Sequence, residues 1–242
     1  MSSKKVAIIG ATSGIGRALA VEMHKSGYTI GATGRRIERL EELRQKLGNK
    51  VHIQYMDVTE LEDSLDQMDQ LANQMGGLDM VILNAGVSHY QDDSVGREAD
   101  LHVIDVNIRG FGNLASYCFE LFERQGHGQL VGISSVAGLF GWGLNIPYNA
   151  SKAFVNTYLQ GYRQKANHSD ADIAVTTIMP GFVESEMTEG KRGLFWVASP
   201  KKAARQIFRA IEKQKDEVYI TKRWRLVAWL VKLIPNWIWN RM

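Results

Sequence analysis

Two patterns of apolar residues alternate along the chain. Short runs such as "KVAIIG" from Lys5 and "DIAVTTIMP" from Asp172 are apolar at nearly every position, whereas the longer stretches between them repeat apolar residues every three or four positions. A run apolar on both faces fits a strand buried between two layers, and the longer spacing fits a helix with one buried side. "YTIGATG", "VHIQYMDV", "LDMVILNAG" and "GQLVGISS" continue the strand series, with helices from Gly14 to about Ser26 and over "RIERLEELRQKL" between the first of them. Strands joined by helices of ten or more residues predict βαβ units, hence a central parallel sheet flanked by helices. No repeat or Pro/Gly-rich linker breaks the series, so 1–220 reads as one doubly wound α/β domain, followed by a distinct extension over 221–242.

In such a sheet ligands lie beyond the carboxyl ends of the strands, so the residues just after each strand carry the most information. The first strand runs into "GATSGIG", with Gly10, Thr12, Ser13, Gly14, Ile15 and Gly16 leading into the first helix. A tight turn there needs positive φ, and a glycine-rich backbone lets a pyrophosphate approach the amides at the helix start. An unliganded βα turn has the same composition, so the loop alone is a weak signal. The second strand ends in "ATGRR". Gly34 stands where a dinucleotide site commonly carries an acid for the ribose 2′-hydroxyl, and Arg35 and Arg36 follow. Guanidinium groups bind a 2′-phosphate that a carboxylate would repel, which predicts NADP(H) over NAD(H); two solvated helix-start arginines are the alternative. Asp57, with Val58 beside it, is placed to accept from an adenine amino group or to cap the next helix. Asn84, Ala85 and Gly86 follow the fourth strand, where small residues leave room for the cofactor ribose.

"YNASK" raises a chemical question, because Tyr148 and Lys152 stand four apart and so share a helix face, about 5–6 Å between Cβ atoms. A tyrosine packed on a lysine stem is the plain explanation. Together with "GATSGIG", "DV", "NAG", "DVN", "ISSVAG" and "PG", in that chain order, the pair resembles the short-chain dehydrogenase/reductase family, over nearly the whole chain to about Tyr219. The resemblance implies a Rossmann fold, catalytic roles for Asn107, Ser135, Tyr148 and Lys152, and Ser135 rather than Ser134 as the active serine, since it lies thirteen residues before Tyr148. It also implies that Pro180 and Gly181 turn the chain, that the Val183 backbone meets the nicotinamide carboxamide, and that the protein forms a homodimer or homotetramer. Ser185 stands where the family usually has Thr, and Ile9 where its glycine motif normally begins with Thr.

Carbonyl reduction needs a hydride at carbon and a proton at oxygen, and a phenol of pKa near 10 is too weak an acid for neutral pH. The expectation is that the Lys152 ammonium lowers the Tyr148 pKa. Ser135 is expected to donate to the substrate oxygen, and Asn107 to hold a water that connects Lys152 to bulk solvent.

Charge and composition then remove other classes. Net charge is +3, but five Lys/Arg and no acid fall between Val218 and Met242, which leaves −2 for the rest and no general nucleic-acid surface. The single cysteine, Cys118, cannot form an internal disulfide, so a reducing, cytoplasmic setting is expected. The apolar run near the N-terminus is short for a secretory signal, and no stretch reaches the ~18–20 apolar residues of a membrane span. The six histidines show no ligand spacing, so no metal is assigned. Phe182, Met187, Leu194, Phe195 and Trp196 in the loop 182–199, with Phe140 and Trp142, line an apolar substrate pocket or simply pack as a lid; His89 is a further candidate for its wall or a surface-loop residue. The extension holds four of the six tryptophans. Arg225 and Lys232 would share one helical face opposite Leu226, Val227, Leu230, Leu233 and Ile234, with Pro235 ending or bending the helix. It packs on the core or on a partner subunit, lies in a membrane interface (the inner face of a membrane), or covers a greasy substrate site. The functional expectation is an NADP(H)-dependent reductase of a ketone or aldehyde, or the reverse alcohol dehydrogenase, on an apolar or lipid-like small molecule. A membrane-associated lipid-modifying reductase and a catalytically silent NADP-binding regulator remain open.

Overall fold

The computed structural model describes residues 3–89, 96–239 and 241. Strands β1 (Lys5–Ile9), β2 (Thr29–Gly34), β3 (Val51–Tyr55), β4 (Met80–Leu83), β5 (His127–Ile133), β6 (Asp172–Pro180) and β7 (Glu217–Ile220) form one sheet in the order β3-β2-β1-β4-β5-β6-β7. Every neighbouring pair is parallel. The both-face apolarity of "KVAIIG" has a direct cause in the pleat. Val6 and Ile8 face a layer containing Leu19 and Met23 of α1 (Gly14–Lys25), Leu40 and Leu43 of α2 (Ile37–Leu47), and Ile207 and Ile211 of α7 (Pro200–Ile211). Ala7 and Ile9 face the opposite layer, with Met68 and Leu71 of α3 (Leu61–Met75), Phe119 and Phe122 of α5 (Phe111–Gln125), and Leu159 of α6 (Ile146–Asn167). Alternate side chains go to opposite faces, so the central strands of a sheet sandwiched by helices are apolar on both sides, and exposed strand residues fall at the edges and ends.

The chain winds outward from β1 to β3, then returns to β4 and winds the other way. That reversal, between β1 and β4, opens a crevice at the carboxyl ends of the strands. Two departures from the sequence reading matter. The strand series continues past β6: "EVYI" adds β7 on the edge, where Pro180 aligns with Ile220 and holds the end of β6 in the sheet. The helix carrying "DVNIRG" is also not uniform. Between α4 (Arg97–Ile104) and α5, residues Asp105–Gly110 take a π-helical turn. There the helix meets the chain after β3 so closely that a Cβ on Gly110 would fall on the Val58 carbonyl oxygen.

The extension forms α8 (Trp224–Lys232) and a short α9 (Asn236–Trp239), separated at Pro235 as expected. The apolar face read from sequence is turned largely outward. Trp224 and Ala228 are the buried positions, while Leu226, Leu230 and Leu233 of that apolar face are each more than half exposed. Trp224 wins the inner side because it fills the space over Gly181, where a Cβ would meet its indole. Arg225 is exposed, and the Lys232 side chain lies outside the described residues. Among the described residues no helix is long and apolar enough to cross a membrane.

Gly110→Ala is expected to cost about 1–3 kcal/mol, because the added methyl meets backbone that cannot turn aside. A lower thermal midpoint, with no loss of secondary structure at low temperature, checks it; an unchanged midpoint contradicts the close approach.

Candidate active site

The loops after β1 and β4 interlock. Gly10 has φ +88°, and a Cβ there would lie 2.8 Å from the Ala85 amide nitrogen. Asn84 donates from Nδ2 to the Gly10 carbonyl at 2.7 Å, and a Cβ on Gly16 would strike the same carbonyl oxygen. Asn84 therefore braces the glycine loop, and Ala85 and Gly86 run alongside it. Helix α1 starts at Gly14, also at positive φ, and Ser13 before it makes no side-chain cap bond. Its first-turn amides, around Ile15 and Gly16, keep their capacity for an anion.

Arg36 and Arg35 diverge. The Arg36 guanidinium donates from Nη2 to Thr12 Oγ1 at 2.7 Å and to Ser13 Oγ at 2.9 Å, with Nε also 3.2 Å from Thr12 Oγ1. Its Nη1 reaches the Glu186 carboxylate at 2.7 and 3.0 Å. Arg35 turns to Asp57 instead, 3.6 Å away. A side chain at Gly34 would be crowded by Thr12, with Cβ 2.6 Å from Cγ2, so this turn has little space for the acid commonly placed there. Asp57 Oδ1 accepts from the Thr59 amide (3.0 Å) and hydroxyl (2.8 Å). Burial pushes the Asp57 carboxyl up, but the Thr59 and Arg35 bonds outweigh it and hold it below its ordinary value. Helix α3 begins only at Leu61, so Asp57 orders the preceding turn rather than capping the helix.

Ser135 follows β5, and Tyr148 and Lys152 lie in the first two turns of α6. Ser134 and Ser135 separate cleanly. Ser134 donates to the Lys152 carbonyl at 3.0 Å and serves the scaffold. Ser135 accepts from the Ala137 amide at 3.1 Å, donates toward the Pro180 carbonyl at 3.3 Å, and is hydrogen-bonded to the Tyr148 side chain. Lys152 Nζ is buried, donates to the Ile133 carbonyl at 2.9 Å and sits 5.6 Å from the Tyr148 ring centroid. Asn107, in the π turn, accepts from the Val87 amide (2.8 Å) and donates to the Val87 carbonyl (2.9 Å) and Ser151 Oγ (3.0 Å). Both its amide hydrogens are thereby committed, leaving one acceptor position on Oδ1. A polar residue disfavoured inside a helix is explained by that bracket.

The electrostatics reverse one expectation. Tyr148 keeps partial exposure overall, yet burial around the phenol raises its pKa above the ordinary value, with the Ser135 hydrogen bond pulling the other way. Burial depresses the Lys152 ammonium, to about 8. Desolvation acts on both groups, and the amine directs its resolved bond to a backbone carbonyl rather than to the phenol.

Beyond β6, the Gly181 amide donates to the Ile220 carbonyl at 2.6 Å. Val183 bridges Ala198 through bonds made by the neighbouring Phe182 carbonyl and Glu184 amide, so its own N–H is not used in that bridge. Phe182, Phe195 and Trp196 pack around Trp224, with ring centroids 5.1–6.0 Å from it. Opposite them, Trp239 packs on Phe140 and donates to the Gly141 carbonyl at 3.0 Å. The tail thus touches both loops that flank Ser135 and Pro180. Met187 and Leu194 are half-buried and Trp142 is exposed; His89 lies beside His102, 6.5 Å between rings. Sequence reasoning missed Arg39, Glu186, Trp224 and Trp239. Only the arginines carried a signal, since Arg36 and Arg39 stand three apart at a helix start and so share a face.

Gly86 supplies a test of fit for a nicotinamide dinucleotide: the chain after β4 runs so close that a Cβ there would lie 3.4 Å from Lys152 Nζ and 3.3 Å from Asn107 Oδ1, which brings the loop, the amine and the amide together at one end of the sheet. The Lys152 ammonium suits ribose hydroxyls, and the free amides at the start of α1 suit a pyrophosphate. Comparison with known proteins agrees. The family model described as short chain dehydrogenase matches residues 4–193, and the chain belongs to that family. An uncharacterized oxidoreductase of Myxococcus xanthus is 36% identical over 193 residues, covering 78% of this chain and 75% of that one. Another, from Mycobacterium tuberculosis, is 30% identical over 241 residues, covering 97% and 94%. Among solved structures, a short chain dehydrogenase/reductase of Burkholderia phymatum in complex with NAD superposes with TM-score 0.84 at 19% identity, covering 93% and 92%. An alcohol dehydrogenase of Thermococcus sibiricus complexed with 5-hydroxy-NADP gives 0.78 at 22%, covering 90% and 96%. These two neighbours share the fold of this chain, one holding NAD and the other 5-hydroxy-NADP.

A depressed amine carries a stability cost. Between pH 8 and 10.5 the unfolded chain binds the Lys152 proton and the folded one does not, so this group's penalty is full below pH 8 and fades as pH rises. Lys152→Met is expected to stabilise the protein at pH 7 by roughly 1–3 kcal/mol, with the gain shrinking toward pH 10. Denaturant titrations at several pH values check it; destabilisation at pH 7 contradicts it.

Proposed function

We propose that the chain is an NADP(H)-dependent oxidoreductase that reduces a ketone or aldehyde, or oxidises the corresponding alcohol, with Tyr148 as proton donor. The observation that carries this reading is the convergence of Ser135, Tyr148 and Lys152 beside Gly86 at the carboxyl ends of β5 and β6. The bound nicotinamide supplies or takes up a hydride. Ser135 and Tyr148 hold the carbonyl oxygen, and the Tyr148 proton passes to it as charge develops there. A phenol kept protonated by burial suits the reductive direction at neutral pH. Lys152, titrating near 8, holds the proton that replenishes it, and the remaining acceptor position of Asn107 Oδ1 orients a water on that route. Arg36, set against Thr12 and Ser13, takes the 2′-phosphate; Arg35 assists from beside Asp57. The Val183 N–H is directed to the carboxamide. Phe140, Phe182, Phe195 and Trp196 favour an apolar substrate, and a homodimer or homotetramer is part of the same reading.

A regulator without turnover needs no proton donor, so one variant separates the classes. Tyr148→Phe is expected to lower reduction by about 10²–10⁴-fold across a ketone and aldehyde panel while leaving NADPH binding intact. Full retained turnover refutes the assignment, and tighter binding of NADH than NADPH refutes the cofactor preference.

A second reading, a reductase that works at a lipid surface, is favoured by the outward side of the tail. Leu226, Trp229, Leu230, Leu233 and Trp237 are 56–65% exposed there, beside Arg223 and Arg225, with no acid after Glu217. Apolar anchors with cations match an anionic interface. Flotation with anionic vesicles is expected, and its loss in a Leu226→Ser, Trp229→Ser, Leu233→Ser variant; equal flotation of the two proteins removes this reading.

A further inference from the structure

The substrate loop carries a carboxylate into the place where the cofactor phosphate is expected. Glu186 receives Arg36 Nη1 at 2.7 and 3.0 Å and is also paired with Arg39 Nη1. The remaining donors of Arg36 are turned to Thr12 and Ser13, so this guanidinium joins the glycine loop to the substrate loop. The two loops also meet directly, because a Cβ on Gly14 would lie 3.7 Å from Ser185 Cβ. Hydrogen bonds from Arg39 and Arg36 hold the Glu186 carboxyl below its ordinary value, so it is charged at any physiological pH. A 2′-phosphate and Glu186 ask for the same donors, and two anions cannot share one guanidinium fork without repelling each other.

We propose that Glu186 is a specificity-determining competitor for the 2′-phosphate, a latch that ties the substrate loop to Arg36 and Arg39 until the phosphorylated cofactor displaces it. This rests on the reading that Arg36 binds the phosphate. Two consequences follow. NADP(H) binds less tightly than the arginines alone would allow, because each binding event first breaks the Glu186 pairs. Only the phosphorylated dinucleotide releases the loop bearing Phe182, Val183, Phe195 and Trp196; NAD(H) has no group that evicts a carboxylate. The cofactor's phosphate thus controls access to the substrate site as well as affinity.

The test compares NADPH and NADH dissociation constants, by cofactor fluorescence on the full chain at low salt, for the wild type, Glu186→Gln and Arg36→Met. Glu186→Gln should tighten NADPH about threefold to tenfold and change NADH less than twofold, because both pairs it removes are solvent-exposed. A second readout is tryptic cleavage within 182–199, at Lys191 or Arg192. In the wild type NADPH should accelerate it and NADH should not, whereas Glu186→Gln should be cleaved quickly without either. If Glu186→Gln leaves NADPH affinity unchanged or weaker, the latch is refuted. Arg36→Met judges the underlying reading separately: it should weaken NADPH about tenfold or more and spare NADH. A loss in Arg36→Met with no gain in Glu186→Gln keeps the cofactor reading and overturns the latch, whereas no loss in Arg36→Met overturns both.

Discussion

Burial of one amine organises the catalytic end of this molecule. Lys152 lies beneath the ends of β5 and β6, with its ammonium on the Ile133 carbonyl and its own backbone carbonyl held by Ser134. Removing a charge from water is costly, and the structure offers this one a single resolved neutral acceptor rather than a carboxylate. The amine answers by releasing its proton more easily, near pH 8. The same packing moves the neighbouring phenol the opposite way, because burial disfavours whichever form is charged. Acid strengths that nearly coincide in free solution are thereby driven apart, with the buried ammonium becoming the stronger acid of the two. Passage of a proton from that ammonium to a tyrosinate is then downhill, and this gives the pair its usefulness without any need for the cation to pull the phenol down.

A second constraint makes that geometry reproducible. Gly10, Gly16 and Ala85 are pressed so closely that larger side chains have no place, and Asn84 ties the two loops together. On the other side Asn107 clamps Val87 and reaches Ser151, three residues after Tyr148, while Gly110 lets the π turn sit against Val58. Each contact is a backbone approach or a buried amide with committed partners, so the crevice is held from both banks. The parts left adjustable are those resting on exposed ion pairs and aromatic edges: the loop 182–199 and the tail behind it.

Legibility from sequence followed the same division. The parallel sheet, the segments of its first six strands and the helices between them could be read, because both-face apolarity and three-to-four spacing are local consequences of burial. β7 escaped, since "EVYI" at an edge is short and half-exposed. Ser135, Tyr148, Lys152 and Asn107 were found through a resemblance and are brought to one place. The direction of the Tyr148 shift departs from the expectation, because helical spacing reports proximity and not dielectric surroundings. The engagement of Arg36 by Glu186, 150 residues away, and the inward turn of Trp224 depend on how a loop and a tail fold back. No periodicity encodes that.

The most direct measurement is the ionisation of the Lys152 amine itself. In protein labelled at lysine Cε with carbon-13, the Lys152 resonance is assigned by its disappearance in a variant lacking that lysine, and its shift is followed with pH. A midpoint near 8, well below the exposed lysines near 10.5, is predicted. A midpoint that coincides with those of the exposed lysines would mean that the amine is solvated and that burial does not set the chemistry of this site.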